Sequence, residues 1–160
     1  MKRNHRFTVN TEWTGNLGPG TSSYSGYERS HTIRIENKPE LYGSSDSSFR
    51  GDPSKHNPEE LLLAALSSCH MLWYLHLCAE AGVQVMEYRD NAHGILTENN
   101  LGSGKFTSAT LNPEVIVSDA SMVLPALDLH AKANAMCFIA NSVNFPIDHH
   151  PTCTHQHART

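Results

Sequence analysis

The spacing of hydrophobic and polar positions changes along the chain and divides it into strands and helices. From about Phe7 to Leu41, short alternating stretches such as HTIRIE are separated by the turn-forming run GNLGPGTSSYSG. Alternation with a period of two is typical of strands, so this part predicts two or three antiparallel strands. The polar run GSSDSSFRGDPSKH follows, and its length and turn-forming composition indicate a functional loop.

The stretch NPEELLLAALSSCH begins a helical pattern. Asn57 is a favourable N-cap, Pro58 suits the first helical position, and Glu60 lies three residues after the cap, as in a capping box. Apolar residues then recur at three- and four-residue steps as far as Gly82, which predicts a helix of about six turns. The predicted packed face of this helix consists of Leu62, Ala65, Leu66, Cys69, Leu72, Trp73 and His76.

Three strand-like pieces follow Gly82, namely VQVMEYRDNAHGILT, KFTSATL and PEVIVS. A second helix that carries Cys137 is predicted from about Met122 to Asn141. Its less regular apolar face consists of Leu127, His130, Ala131, Asn134 and Ile139. The chain ends in a predicted short strand and a polar, histidine-rich tail over residues 149–160. Because strands and helices come in runs, an α+β fold is favoured over a doubly wound parallel sheet.

Composition and charge restrict the possible functions. A chain of 160 residues that is 39% hydrophobic can form one domain with a core that needs no disulfide support. The formal charge of -4, without a basic cluster, does not favour nucleic acid or an anionic membrane as a partner. The basic N-terminus precedes no apolar segment, and LLLAAL is too short to cross a bilayer, so a cytoplasmic location is expected.

Cysteine spacing does not favour the common structural sites. The chain has four cysteines without a CxxC pair, which is a poor match for a zinc site or a disulfide framework. Cys78 is interpreted as a core residue. Imidazole and thiolate groups near the C-terminus could bind a transition metal, but a polar terminus is the favoured interpretation, and no metal is expected. These C-terminal groups are His149, His150, Cys153, His155 and His157.

Cys69 is the candidate reactive thiol. A thiol reacts as its thiolate, and an apolar helix face disfavours that form unless a cation lies nearby. Arg50, in the loop before the helix, could supply a guanidinium that contacts both the sulfur and a substrate oxygen. Glu59 in the first helical turn could orient this guanidinium, whereas Glu60 is expected to cap the helix. The alternative from residue chemistry alone is that Cys69 is a small core residue.

The stretch NPEELLLAALSSCH, followed 68 residues later by the cysteine of MCFIANSVNFPI, resembles the OsmC/Ohr family of thiol-dependent organic hydroperoxide reductases. The resemblance covers roughly residues 7–148. It implies that Cys69 is the peroxidatic thiol and that Cys137 resolves its sulfenic acid by forming a disulfide with it. It also implies that Glu59 orients the catalytic arginine. SSFRGD resembles the stretch that supplies this arginine in the OsmC-like branch, which favours Arg50, but other branches take it from an N-terminal strand, where Arg29 would be the substitute.

The same resemblance implies an intertwined homodimer with antiparallel sheets around two central helices and an active site at the subunit boundary. It further implies an organic hydroperoxide substrate, a role in oxidative stress defence, no bound cofactor and an external dithiol reductant of lipoyl type. His70, directly after Cys69, departs from the hydroperoxide-resistance branch. The alternative function is a stress-associated protein without catalytic turnover that binds a hydrophobic small molecule in an interhelical pocket.

Overall fold

The computed structural model describes residues 2–156, and the chain divides into two compact units, one ending at Leu61 and one beginning at Leu62. The first unit contains a three-stranded antiparallel sheet of β1 Asn10–Trp13, β2 His31–Arg34 and β3 Leu41–Gly43. This sheet confirms the strands predicted from the alternating pattern. The predicted loop that follows contains one 3-10 turn, Ser47–Phe49.

Helix α1, Pro58–Glu80, begins where the sequence predicts. The backbone N–H of Glu60 donates to Asn57 Oδ1 at 2.8 Å, and the N–H of Asn57 donates to Glu60 Oε2 at 3.3 Å. This reciprocal pair satisfies two N–H groups that the first turn of a helix leaves without helical partners. The predicted capping box is confirmed, and so is the capping role of Glu60.

The packed face of α1 differs from the predicted one. The buried residues of the helix are Leu66, His70, Tyr74, Leu77 and Cys78. Leu72 is exposed to 63%, His76 is exposed, and Cys69 is only partly buried at the edge of the packed face. The sequence did not distinguish the two faces because apolar side chains surround most of this helix.

The second unit contains two further sheets and the second helix. Its strands are β4 Val85–Asp90, β5 His93–Glu98, β6 Gly104–Leu111, β7 Pro113–Val117, β8 Ile147–His149 and β9 Thr152–His155. One sheet has the order β4-β7-β9 and the other β5-β6-β8, with the first pair of each antiparallel and the second pair parallel. Helix α2, Val123–Met136, lies between β7 and β8 in the chain.

Three sequence predictions need correction in this unit. The stretch predicted as one strand after Gly82 breaks at Asn91 into β4 and β5, which belong to different sheets. Helix α2 ends at Met136, so Cys137 is its C-cap residue, with an extended backbone (φ -67, ψ 114), and does not lie inside the helix. The predicted polar tail forms β9 up to His155, because its backbone pairs with β7.

The buried residues of the second unit form two clusters. One includes Tyr74, Leu77 and Cys78 of α1 with Ala126 and Ala133 of α2, and Cys153 packs against it. Of the predicted α2 face, only His130 is fully buried. The other cluster contains Cys137, with Cys69 packed against it.

The two helices and the mixed sheets together confirm the predicted α+β fold. In the part of the chain that the structure describes, α1 is the one helix whose length and composition would allow it to cross a membrane. The core helix of a water-soluble protein meets the same criteria.

Candidate active site

Cys69 lies in an apolar groove of the second unit with a volume of about 560 Å³. The groove is lined by Ala65, Ser68, Cys69, Leu72, Trp73, His76, Phe138 and Ile139. The rings of Trp73 and Phe138 meet edge to face, with centroids 5.6 Å apart, and form one wall between α1 and the segment after α2. A substrate that enters this groove therefore meets apolar surface on most sides of the Cys69 thiol.

Cys137 lies beside Cys69 but is fully buried, at 0% exposure. Burial raises the pKa of the Cys137 thiol to about 11; the backbone N–H of Ala140 opposes this rise, and the neighbouring Cys69 thiol adds to it. Both thiols are free in this structure. The site therefore pairs a partly exposed thiol with a fully buried one.

The end of α2 explains how Cys137 is held. Its backbone N–H donates to the carbonyl oxygen of Asn134 at 3.2 Å, and the chain then turns so that the N–H of Ala140 donates to Cys137 Sγ at 3.4 Å. A short 3-10 turn, Ala140–Ser142, follows. The sulfur is thus fixed by the backbone that leaves the helix, and the same turn presents Phe138 and Ile139 to the groove.

Both candidate arginines lie in the first unit, and both approach Tyr24. The guanidinium of Arg29 lies 4.5 Å from the centre of the Tyr24 ring and donates to the carbonyl oxygens of Tyr27 at 2.6 Å and Tyr24 at 2.8 Å. The guanidinium carbon of Arg50 lies 5.9 Å from the same ring. Among the hydrogen bonds and ion pairs of the described residues, none involves the Arg50 guanidinium. Arg50 also has a left-handed backbone (φ 64), uncommon for a residue with a side chain.

Glu59 is half-buried in the first turn of α1, ten residues before Cys69. Ten residues of α-helix extend about 15 Å along the axis, so this carboxylate is too far along α1 to act on the sulfur of the same helix directly. Among the ion pairs of the described residues, none joins Glu59 to Arg50. The roles assigned to these two residues remain predictions.

Sequence reasoning missed a buried histidine cluster that includes His70, the residue after Cys69 in the chain. His70 Nε2 and His130 Nδ1 are 3.0 Å apart, and the His149 ring lies 4.6 Å from the His70 ring. Burial, followed by the nearby His149, lowers the pKa of His70 to about 3 and that of His130 to about 4. The available signal was the four-residue ladder Leu66, His70, Tyr74 and Cys78, which is apolar except at His70.

Among the described residues, the C-terminal groups considered as metal ligands lie in different surroundings. His149 belongs to the buried cluster, whereas Cys153 packs against the hydrophobic core. His157 lies outside the described residues. Across residues 2–156, no group of three or more histidine, cysteine or acidic side chains is arranged to hold a metal ion.

The fold and the cysteine pair are similar to those of a known protein family. The model of the OsmC-like protein family matches residues 51–150, which include both Cys69 and Cys137. The chain belongs to the OsmC-like family. A search of curated proteins returned no match.

Solved structures of OsmC-like proteins share the fold along nearly the whole chain. An OsmC-like protein of unknown function from Vibrio cholerae is 30% identical, with a TM-score of 0.81 over 92% of this chain and 99% of that chain. An organic hydroperoxide resistance protein OsmC from Legionella pneumophila is 14% identical, with a TM-score of 0.69 over 96% and 99%. An organic hydroperoxide resistance protein from Elizabethkingia anophelis is 16% identical, with a TM-score of 0.67 over 98% and 100%.

Proposed function

We propose that this protein is a thiol-dependent peroxidase that reduces organic hydroperoxides to alcohols, with Cys69 as the attacking thiol and Cys137 as the resolving thiol. The observation that carries the proposal is the pair itself: Cys69 is partly exposed in an apolar groove, and Cys137 is buried beside it. Membership of the OsmC-like family, in which some structural relatives are named organic hydroperoxide resistance proteins, supports this chemistry.

The reaction needs two steps. In the first, the Cys69 thiolate attacks the outer oxygen of ROOH, the O–O bond breaks, the alcohol leaves after taking up a proton, and Cys69 becomes a sulfenic acid. In the second, the Cys137 sulfur attacks Cys69, the hydroxyl group leaves as water, and a Cys69–Cys137 disulfide forms. The two thiols thus supply the two electrons that reduce the peroxide.

Arg50 is proposed as the residue that stabilises the Cys69 thiolate and contacts the peroxide. Its guanidinium carries no hydrogen bond in the described residues, whereas the donors of Arg29 are used by two carbonyl oxygens. Glu59 is proposed to orient Arg50, because a bidentate carboxylate restricts a guanidinium more than a single contact does. Because Glu59 lies ten residues before Cys69 on α1, it is proposed to act through the arginine.

We also propose a homodimer whose subunit boundary completes the site, because Leu72 and Phe138, on the groove, are exposed to 63% and 67% in the single chain. Sedimentation equilibrium should give the mass of two chains, and a monomer at micromolar concentration would contradict this. An external dithiol of lipoyl type is proposed to reduce the disulfide in the cytoplasm, without a bound cofactor.

The test counts free thiols in denaturant before and after one equivalent of cumene hydroperoxide, so that buried thiols react with the reagent. The peroxidase predicts a loss of two of the four thiols per chain within seconds, and peptide mapping should find Cys69 joined to Cys137. Unchanged thiols would contradict the proposal.

A second candidate is a protein that binds a hydrophobic small molecule without turnover, which the apolar groove of about 560 Å³ would also accommodate. It predicts saturable binding of an apolar fluorescent probe that Trp73→Ala weakens, together with all four thiols intact after peroxide treatment.

A further inference from the structure

A buried histidine pair connects helix α1 to helix α2. His70 of α1 and His130 of α2 are exposed to only 1% and 3%, and the planes of their rings are within 9° of parallel. Their Nε2 and Nδ1 atoms lie 3.0 Å apart, which is a hydrogen-bond distance. The bond therefore joins α1, which carries Cys69, to α2, whose C-cap residue is Cys137.

This hydrogen bond leaves polar atoms unsatisfied on both rings. A neutral imidazole has one donor and one acceptor nitrogen, so the pair shares one proton, and each ring keeps one further nitrogen for another partner. In the part of the chain that the structure describes, His70 Nδ1 and His130 Nε2 have no such partner. Two apolar side chains of similar size would avoid this unfavourable burial. Stability alone therefore does not account for the pair.

The hydrogen bond fixes the distance between the two rings and their relative orientation, whereas apolar contacts are non-directional. His70 directly follows Cys69, and His130 lies seven residues, or about two helical turns, before Cys137. The ring of Tyr74 stacks on His130, with centroids 3.9 Å apart and planes 14° from parallel, and the ring of His149 covers His70. Neighbouring rings thus restrict the orientation of both imidazoles.

Resting on the proposed peroxidase reaction, we propose that the His70–His130 hydrogen bond positions Cys137 for attack on oxidised Cys69. A disulfide forms without strain only when the two Cα atoms lie within about 4.4–6.8 Å and the sulfurs approach in a defined orientation. A directional bond between the same two helices holds this spacing. Its loss should slow disulfide formation and leave the first oxidation of Cys69 unchanged.

The primary test measures the Cys69–Cys137 pair without peroxide, by equilibration of the full-length protein with glutathione buffers and peptide mapping of the disulfide. The double variant His70→Leu/His130→Leu removes the bond without leaving one ring unpaired, so it should fold even where either single variant does not. We expect its disulfide to form with an equilibrium constant about tenfold lower, which corresponds to a shift of about 30 mV towards a more oxidising potential.

Two further variants separate positioning from general stability. His130→Asn places an amide nitrogen or oxygen near the position of Nδ1 of His130. Unlike the double variant, it should therefore keep the wild-type potential of the disulfide. Val117→Ala leaves a cavity in the fully buried core but removes no hydrogen bond, so its potential should not change. A wild-type potential in the double variant would overturn the proposal, and so would an equal shift in Val117→Ala.

Stopped-flow oxidation by cumene hydroperoxide then separates the two steps. In the double variant we expect sulfenic acid formation at the wild-type rate and disulfide formation about tenfold slower. Equal slowing of both steps would contradict a positioning role. If wild-type Cys69 does not react with peroxide at all, the proposed function fails, but the glutathione potentials still decide whether the histidine pair positions the thiols.

Discussion

Cys69 and Cys137 have opposite surroundings, which predicts different roles for two identical side chains. Cys69→Ser should abolish peroxide reduction, because Cys69 is the thiol of the pair that the groove exposes. Cys137→Ser should still undergo one rapid oxidation but should not form the disulfide that a dithiol can reduce. Single-turnover and steady-state peroxide consumption measure the two effects.

Cys153→Ser is the matched control, because Cys153 packs against the other hydrophobic cluster. This variant should retain both steps. Equal peroxide consumption by the wild type and Cys69→Ser would exclude Cys69 as the attacking thiol.

The two candidate arginines should differ in their effect on the oxidation of Cys69. Arg50→Ala should slow the oxidation of Cys69 at least tenfold, a change of about 1.4 kcal/mol in activation free energy, because it removes the charge proposed to stabilise the thiolate. Arg29→Ala should have little effect on this rate, since its donors already bind the carbonyl oxygens of Tyr27 and Tyr24. Glu59→Ala should give a milder defect, because the arginine keeps its charge.

Stopped-flow rates for these three variants provide the measurement. A ranking in which Arg29→Ala is slower than Arg50→Ala would assign the catalytic role to Arg29.

At the scale of the elements, the histidines between α1 and α2 predict a dependence of stability on pH. Burial lowers the folded-state pKa of His70 to about 3 and of His130 to about 4, against an ordinary value of 6.5. At pH values between the lowered pKa of each histidine and 6.5, the unfolded chain therefore binds more protons than the folded chain. The contribution of these histidines to the free energy of unfolding is therefore highest above pH 6.5. It decreases as the pH falls towards 4, with a slope of about 1.4 kcal/mol per pH unit for each histidine.

Urea denaturation at fixed pH values from 8 to 4 measures this slope. The variant His70→Gln/His130→Asn keeps amide groups near the bonding positions but removes two titrating groups, so its stability should decrease less steeply below pH 6.5. Identical pH profiles would mean that these histidines do not control the acid sensitivity.

At the scale of the whole molecule, the groove predicts substrate preference. Its walls around Cys69 are largely apolar, so an alkyl or aryl tail would lose contact with water on binding. Burial of about 100 Å² of such a tail corresponds to about 2.5 kcal/mol, or nearly two orders of magnitude in kcat/KM if the contact persists in the transition state. Hydrogen peroxide has no tail and gains nothing from these walls.

The measurement is kcat/KM for cumene hydroperoxide, tert-butyl hydroperoxide and hydrogen peroxide with one dithiol reductant. Phe138→Ala should reduce the preference, because it removes one wall of the groove. Equal values for the three substrates in the wild type would show that the groove does not select apolar peroxides.

Several features of this protein follow from the sequence alone because they depend on neighbouring residues. The capping box at the start of α1 joins Asn57 and Glu60 across one turn, so four residues of sequence are enough to predict it. The α+β class follows from runs of strand and helix periods. Residue chemistry made Cys69 a candidate thiol, and a family resemblance added Cys137; the structure brings the two together in one cluster.

Tertiary structure decided which side of each helix faces the core. Apolar residues surround most of α1, so the local pattern could not place His70 inside and Leu72 outside. The partner of His70 is His130, 60 residues away on another helix. The pairing of β7 with β9 likewise depends on a distant strand, and it places the predicted tail in a sheet. Local patterns determine where a helix or strand forms, whereas its orientation depends on contacts between residues far apart in the chain.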